Sequence, residues 1–174
     1  NNKGNQTTIS ECKSLINDAV GKIGENIVFK RINYIEGNVF TYMHNKINDE
    51  LGKIGVLLKL NDSNVNLDEV GKNLCMHIAA SAPLSIDEKD LDNEFLLAEK
   101  EIIENQLKES GKPENIIEKM LSGKLNKVLE EVTLLKQKFV MDQSKSIQDY
   151  LDETSKSNGE KIEVLKFVRY ELGN

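Results

Sequence analysis

The sequence predicts an α+β protein: a small antiparallel sheet covered by helices, with a projecting antiparallel helical hairpin (coiled coil). Several stretches carry apolar residues at three- and four-residue spacing, the period of an amphipathic helix. Others are apolar runs or are rich in β-branched and aromatic residues, as strands are. A Gly-Lys-Pro break at 111–113 separates two helical patterns of similar length. A link this short favours two helices that run antiparallel.

Composition limits the classes of partner. The chain has 174 residues, 39% of them hydrophobic, which is enough for one domain or two small subdomains. The formal net charge is −6 and no long basic run is present, so the charges give no support to nucleic-acid binding. No apolar run approaches the roughly 20 residues that span a bilayer, and the polar N-terminal stretch does not resemble a signal peptide. We therefore expect a protein partner, with no nucleic acid and no membrane.

The first third of the chain predicts one helix and three strands. Apolar residues at helical spacing mark residues 8–20. Residues 26–35 (NIVFKRINYI) predict a strand, and the turn residues at 36–38 lead into a second strand at 39–44, so the two are expected to pair as a hairpin. Residues 53–60 (KIGVLLKL) are nearly continuous in apolar residues. They predict a third strand at the centre of the sheet.

Residues 66–83 (NLDEVGKNLCMHIAASAP) predict a short helix around which the fold is organised. Asn66 suits the N-cap, and Pro83 prevents continuation. Helical spacing gives one buried apolar stripe, with Gly71 and Cys75 beside it as small residues that allow close packing. The stripe consists of Leu67, Val70, Leu74 and Ile78.

The opposite side of this helix carries no charge after Lys72, and an uncharged outward face suggests docking. His77 lies at the border of this face, which leaves two roles open: a histidine hydrogen-bonded at the core edge, or a partner contact. The face is predicted to present Asn73, Met76, Ala79 and Ala80.

The predicted hairpin follows. Ser85 and Glu88 fit a capping box, so a helix is expected from there to about residue 109. Its apolar residues repeat at four-three-four spacing, and a second helix begins at Pro113 and runs to about residue 132. The first repeat is Leu91, Phe95, Ala98 and Ile102; the second is Ile117, Leu121, Leu125, Val128 and Val132.

The chain then returns to the sheet. Residues 133–142 predict an extended segment, and residues 144–154 a short helix capped by Ser144 or Ser146. Period-two alternation over 161–172 predicts a last strand that closes the sheet. The expected organisation is the end of a preceding subdomain at 1–24, a core subdomain at 25–86, the hairpin arm at 87–133, and a return segment at 134–174.

Signals for chemistry are absent. The sequence has no phosphate-binding glycine loop, no nucleophile elbow and no second ligand near His44 or His77 at metal-binding spacing. Cys12 and Cys75 lie far apart and are expected to be free thiols. We expect no metal, no cofactor and no catalytic residue, so an enzyme is the weakest interpretation.

Six stretches occur in the order and spacing of one known family. They are residues 23–37 (IGENIVFKRINYIEG), 41–44 (TYMH), 52–60 (GKIGVLLKL), 76–83 (MHIAASAP), 110–140 (SGKPENIIEKMLSGKLNKVLEEVTLLKQKFV) and 167–173 (FVRYELG). Together they resemble translation elongation factor Ts, the guanine-nucleotide exchange factor of elongation factor Tu, across essentially the whole chain. One departure is Lys138, where the family usually has proline.

This resemblance implies an exchange factor for protein synthesis that acts by binding Tu and has no covalent chemistry. It implies work in a bacterial cytoplasm or, alternatively, in a mitochondrial or plastid matrix. Residues 87–132 would correspond to the family's coiled-coil arm. The motif MHIAA would map the family's partner-contacting helix, facing the G domain of Tu, onto Met76, His77, Ile78, Ala79 and Ala80, with Asn73 beside them.

The family's Thr-Asp-Phe-Val motif and its N-terminal helical domain do not occur in this sequence. The resemblance is therefore to the C-terminal portion of the factor's core, and we expect weaker Tu binding and poor GDP release. The alternative function is a structural coiled-coil adaptor that forms a homodimer through the hairpin, in which His77 would be only a core residue.

Overall fold

The computed structural model describes residues 2–48, 51–109 and 113–173, with side chains from Ser10 onward. The chain divides into two units, Asn1–Tyr34 and Ile35–Asn174. The helices are α1 (Asn2–Ile23), α2 (Asp68–Ser81), α3 (Asn93–Lys108), α4 (Glu114–Val132) and α5 (Ile147–Asn158). The strands are β1 (Val39–Lys46), β2 (Gly52–Leu60), β3 (Lys138–Phe139), β4 (Asp142–Ser146) and β5 (Val164–Glu171). The predicted α+β class is confirmed.

The sheet that carries the core has the order β1-β2-β5, and both pairings are antiparallel. The prediction that residues 53–60 form the central strand is confirmed, and so is the last strand that closes the sheet. β3 and β4 form a separate two-stranded pair. Among the described residues, no helix has the length and apolarity needed to cross a bilayer.

The predicted strand at 26–35 is wrong, and so is its hairpin with residues 39–44. In the first unit, α1 covers the predicted helix and extends beyond it, and residues 24–34 then follow an irregular path. Val28 and Tyr34 are 64% and 72% exposed. β-branched and aromatic residues form a strand only where a neighbouring strand supplies hydrogen bonds and side-chain packing. In the described part of the chain β1 pairs with β2 alone, so the hairpin forms one element later.

α2 packs against β1 and β2 and fills the centre of the core. The predicted stripe is confirmed: Leu74 and Ile78 are fully buried, with Leu67 and Val70 nearly so. Asn66 accepts a hydrogen bond from the Asp68 amide at 2.7 Å, so the predicted cap lies one residue before the observed one. A Cβ added to Gly71 would overlap the Phe40 ring, which shows how closely the helix approaches the sheet.

The helix predicted to begin at Ser85 begins eight residues later. Ser85 is buried and pairs with Thr133 in an isolated parallel bridge. A single 3₁₀ turn follows, closed by a capping box between Asp87 and Asp90. Asp92 then caps α3 by accepting from the Glu94 amide at 2.9 Å. Ser85, Asp87 and Asp92 could each cap a helix. Ser85 does not do so, because it pairs instead with Thr133 at the end of α4.

α3 and α4, called the helical pair below, contact each other, and Lys124 Nζ donates to Gln106 Oε1 at 3.4 Å. The buried residues on the pair are Ile103, Leu107 and Leu129. The predicted repeat through residues 95, 98 and 102 does not form the buried face of α3, because Ile102 is 51% exposed. α3 carries apolar residues on two overlapping stripes, so the spacing alone did not show which of them faces α4. Coiled-coil packing of the pair stays a prediction.

The return segment is more structured than expected. A 3₁₀ turn at Leu134–Lys136 leads into β3, and the predicted extended segment ends in the β3–β4 pair. Ser146 caps α5 in a reciprocal capping box with Asp149, which confirms one of the two caps proposed for that helix. These elements pack along the side of α2 and position the residues discussed next.

Candidate functional site

The six residues predicted to form a partner contact occupy very different environments on α2. Met76 and Asn73 are partly exposed, and Ala80 is exposed. Ile78 is fully buried, as its place in the apolar stripe required. Ala79 is only 4% exposed, so its predicted position on the outer face is wrong. Its carbonyl accepts from Arg169 Nε at 3.2 Å, which places β5 against that side of the helix.

His77 has no exposed surface. Its Nε2 lies 2.9 Å from Gln137 Oε1, and its Nδ1 accepts from the Val140 amide at 3.3 Å. The imidazole also lies near the Phe139 ring, with 6.1 Å between centroids. Of the two roles that the sequence left open, these contacts match a histidine hydrogen-bonded within the core.

Burial lowers the pKa of His77, and the hydrogen bond to Gln137 acts in the opposite direction. The ring is therefore neutral at pH 7. Burial also raises the pKa of the Cys75 thiol to about 12, which keeps it protonated and unreactive. In residues 2–48, 51–109 and 113–173 no group of three His, Cys, Asp or Glu side chains is arranged to hold a metal. These geometries suit packing and binding better than chemistry.

A second set of contacts supports the same edge of α2. Asn73 Nδ2 donates to Tyr150 Oη at 3.2 Å. The Tyr150 ring stacks on Phe139, with 4.5 Å between centroids and 25° between planes. Asn73 is thus tied to α5 through the ring that also covers β3. Its side chain is partly committed to the fold even though part of its surface is exposed.

The turn between β3 and β4 is the feature that sequence reasoning missed. Val140 and Met141 are 40% and 52% exposed, although Phe139 immediately before them is buried. The Val140 amide is bound by His77, so this turn lies along the same edge of α2 as Asn73 and Ala80. The available signal was an apolar run, Phe-Val-Met, that ends at the turn-forming Asp142. We define the α2 surface as Asn73, Met76, Ala80, Val140 and Met141.

A separate cleft of about 900 Å³ lies between the arms of the helical pair. Leu97 at its edge is 66% exposed. Carboxylates line its rim, but Glu88 is paired with Lys136 at 2.8 Å, and Glu104 lies 3.7 Å from Lys100. The cleft therefore presents leucines with a charged border in which two of the three glutamates, Glu88 and Glu104, lie close to lysines. Its leucines are Leu96, Leu97, Leu121, Leu125 and Leu129.

Comparison with known proteins places this sequence in a family. The family model described as Elongation factor TS matches residues 2–174. Elongation factor Ts of Bartonella tribocorum is 42% identical over 164 residues, covering 91% of this chain and 53% of the relative. The Psychrobacter arcticus protein of the same name is 43% identical, covering 98% and 52%. The chain spans about half the length of the curated relatives it matches. The chain belongs to the elongation factor Ts family.

Proposed function

We propose that this chain binds elongation factor Tu and promotes release of its GDP in protein synthesis, with the α2 surface at the contact. Membership of the elongation factor Ts family supports the partner and the process. The activity of the full factor is only proposed for this chain, because the chain spans about half the length of its relatives. The relatives are bacterial, which favours a bacterial cytoplasm over an organelle matrix as the place of action.

The observation that carries this proposal is the group of exposed, uncharged side chains on a rigid support. Met76, Ala80, Val140 and Met141 present mainly apolar surface, and the residues beneath them are held by hydrogen bonds. Interfaces combine an apolar centre with a polar rim and bury about 800 Å² on each partner. Five residues are too few for a whole interface of that size, so the α2 surface is proposed as its centre.

Contact and support are separate roles within the motif MHIAA. Met76 and Ala80 are the residues proposed to touch Tu, with Asn73 at the edge. His77, Ile78 and Ala79 are buried and support them from below. A His77→Ala change would therefore disturb the fold as well as the surface, and it does not isolate a contact.

Nucleotide release follows from linkage and needs no covalent step. If the chain binds nucleotide-free Tu more tightly than Tu·GDP, it must weaken GDP binding by the same factor, because coupling between two ligands is reciprocal. A coupling of 1–3 kcal/mol, about 5- to 150-fold, is typical. Excess GDP with Mg²⁺ should then displace the chain from immobilised Tu. Unchanged retention under those conditions would contradict the proposed exchange mechanism.

The contact residues are tested by titrating Tu with single variants. Met76→Ala and Met141→Ala should each weaken binding about five- to tenfold, or about 1 kcal/mol, as for moderate interface residues. Leu97→Ala is the control, since it removes an apolar side chain from the helical pair that is 66% exposed, against 52% for Met141. If all three variants bind like the wild type, the α2 surface is not the contact. GDP release is followed with a fluorescent analogue, and we expect a slower rate than with a full-length bacterial relative.

A second proposed function is self-association through the helical pair, favoured by exposed Leu97 and the partly buried leucines of its cleft. Two copies facing each other would cover Leu97 and the leucines beneath it. Sedimentation equilibrium of the wild type should then show a dimer, and Leu97→Glu should show a monomer with unchanged stability. If the wild type remains a monomer over a 100-fold range of concentration, the proposed self-association is wrong. The proposed binding to Tu is not affected by that result.

A further inference from the structure

Gln137 uses every polar atom of its side chain inside the protein. It is 5% exposed, and its Oε1 faces His77 Nε2 at 2.9 Å. Its Nε2 donates to two main-chain carbonyls, those of Glu131 at 2.6 Å and Ser81 at 3.3 Å. Carbonyl oxygens accept only from a donor, so the amide has one permitted orientation, with Oε1 toward the imidazole. One side chain thereby joins the end of α4, the end of α2 and His77.

This orientation decides which nitrogen of His77 carries the proton. Because Oε1 is an acceptor, Nε2 must be the protonated nitrogen, and Nδ1 is left with its lone pair. The Val140 amide points at Nδ1 from 3.3 Å and donates to it. In the opposite tautomer, the Nδ1–H would point at the Val140 N–H, so that two donors would face each other. The unprotonated Nε2 would then face Gln137 Oε1, so that two acceptors would face each other. Gln137 is therefore connected to the Val140 main chain through the imidazole.

We propose that Gln137 is a positioning residue for the α2 surface: by selecting the Nε2–H form of His77, it fixes the Val140 amide and with it the exposed Val140–Met141 turn. This role rests on the proposed function, because it gives the surface a reason to be rigid. Gln137 does not touch the partner itself. Its effect passes through His77 to a turn whose side chains are half exposed while its main chain is held. A surface ordered before binding loses less entropy when the partner docks.

The test compares Gln137→Met with Thr133→Val. Methionine keeps the length of glutamine and removes both its acceptor and its donors. Thr133 is a comparably buried polar residue at the same junction, and its hydroxyl donates to the Leu129 carbonyl rather than to His77. The measurements are the ¹⁵N shifts of the His77 ring, hydrogen exchange of the Val140 amide, and affinity for Tu.

We expect the Nε2–H tautomer and a protected Val140 amide in the wild type and in Thr133→Val. In Gln137→Met we expect mixed tautomers, at least tenfold faster exchange at Val140, and about fivefold weaker Tu binding. An Nδ1–H tautomer in the wild type would overturn the proposal without any variant. So would equal effects of the two substitutions, unchanged Val140 exchange in Gln137→Met, or faster exchange with unchanged affinity. If the wild type fails to bind Tu, the proposed function fails, while the ring and amide measurements still decide whether Gln137 positions the turn.

Discussion

α2 and the helical pair are both made of amphipathic helices, yet they are stabilised in different ways. Seven of the 14 residues of α2 are buried. α3 and α4, with 16 and 19 residues, bury two and one. α2 is also tied by hydrogen bonds to Tyr150, Gln137 and Arg169, which lie in separate parts of the chain. The pair is held mainly by contacts between its own two helices.

The difference separates two kinds of surface. On α2, a few exposed residues stand on side chains that cannot move without disturbing the core. On the helical pair, apolar side chains remain in solvent, and Leu97, Ile102 and Ile116 are 66%, 51% and 43% exposed. Substitutions on the pair are therefore informative about partners, whereas most substitutions on α2 report first on folding.

The largest expected effect uses the same substitution in the two regions. Leu74→Ala empties a fully buried site in α2 and should lower the free energy of unfolding by about 2–5 kcal/mol. Leu97→Ala removes an exposed side chain from α3 and should change it by no more than about 0.5 kcal/mol. Urea titration of both variants measures the contrast. Equal losses would mean that the helical pair is packed as tightly as the core.

Gly71→Ala should give the next largest loss. The new Cβ would overlap the Phe40 ring, so helix and sheet must move apart or the ring must leave its rotamer. Overpacking of this kind costs about 1–3 kcal/mol, which outweighs the helix propensity gained by alanine. Thermal unfolding followed by circular dichroism tests this loss. A variant as stable as the wild type would show that the contact between α2 and β1 adjusts easily.

The sequence best predicted those elements whose apolar side chains lie on a single face. Residues 66–83 have one apolar stripe, so the helix, the burial of that stripe and the close approach at Gly71 followed from spacing, whereas the burial of Ala79 did not. Residues 26–35 have the composition of a strand, but composition does not say whether a neighbouring strand is available. α3 has two apolar stripes, and only contact with α4 selects the one containing Ile103 and Leu107.

The candidate site was predictable only in part. Met76 and Ala80 follow from the helical wheel, because they lie opposite the apolar stripe. Burial of His77 depends on Gln137 and Val140, which lie 60 and 63 residues away along the chain, and no local pattern reports such a contact. The Val140–Met141 turn joins the surface for the same reason. Long-range hydrogen bonds, unlike periodic burial, leave little trace in a single sequence.

A smaller effect is expected from pH. The unfolded chain binds a proton to His77 near pH 6.5, whereas burial lowers the pKa of that histidine in the folded state. The unfolded state then binds more protons below about pH 6.5, so stability falls as pH decreases from there and stops falling below the folded pKa. Hydrogen bonds from Ser144 and Ser146 lower the pKa values of the Asp142 and Asp149 carboxyls. These carboxyls therefore change the pH dependence of stability only at lower pH.

The measurement is the urea midpoint at pH 7.5 and pH 5.5. The wild type should be less stable at pH 5.5, and His77→Gln should lose most of that difference even though its stability is lower at both values. His44→Gln, which replaces an exposed histidine on β1, is the matched control and should keep the difference because His77 is still present. A pH dependence unaltered in His77→Gln would place its origin outside the core of α2.

The smallest expected effect has the opposite sign and lies in the helical pair. Gly123 is in the interior of α4, and a Cβ added there would meet no heavy atom within 4 Å beyond its chain neighbours and the adjacent backbone of its own helix. Alanine is more favourable than glycine inside a helix by about 0.8–1.0 kcal/mol, partly because it restricts the unfolded chain. Gly123→Ala should therefore stabilise the chain slightly, whereas Gly71→Ala in α2 destabilises it. If Gly123→Ala also destabilises, an occupant covers that face of α4 in solution, and a second copy of the chain is the first to test by sedimentation.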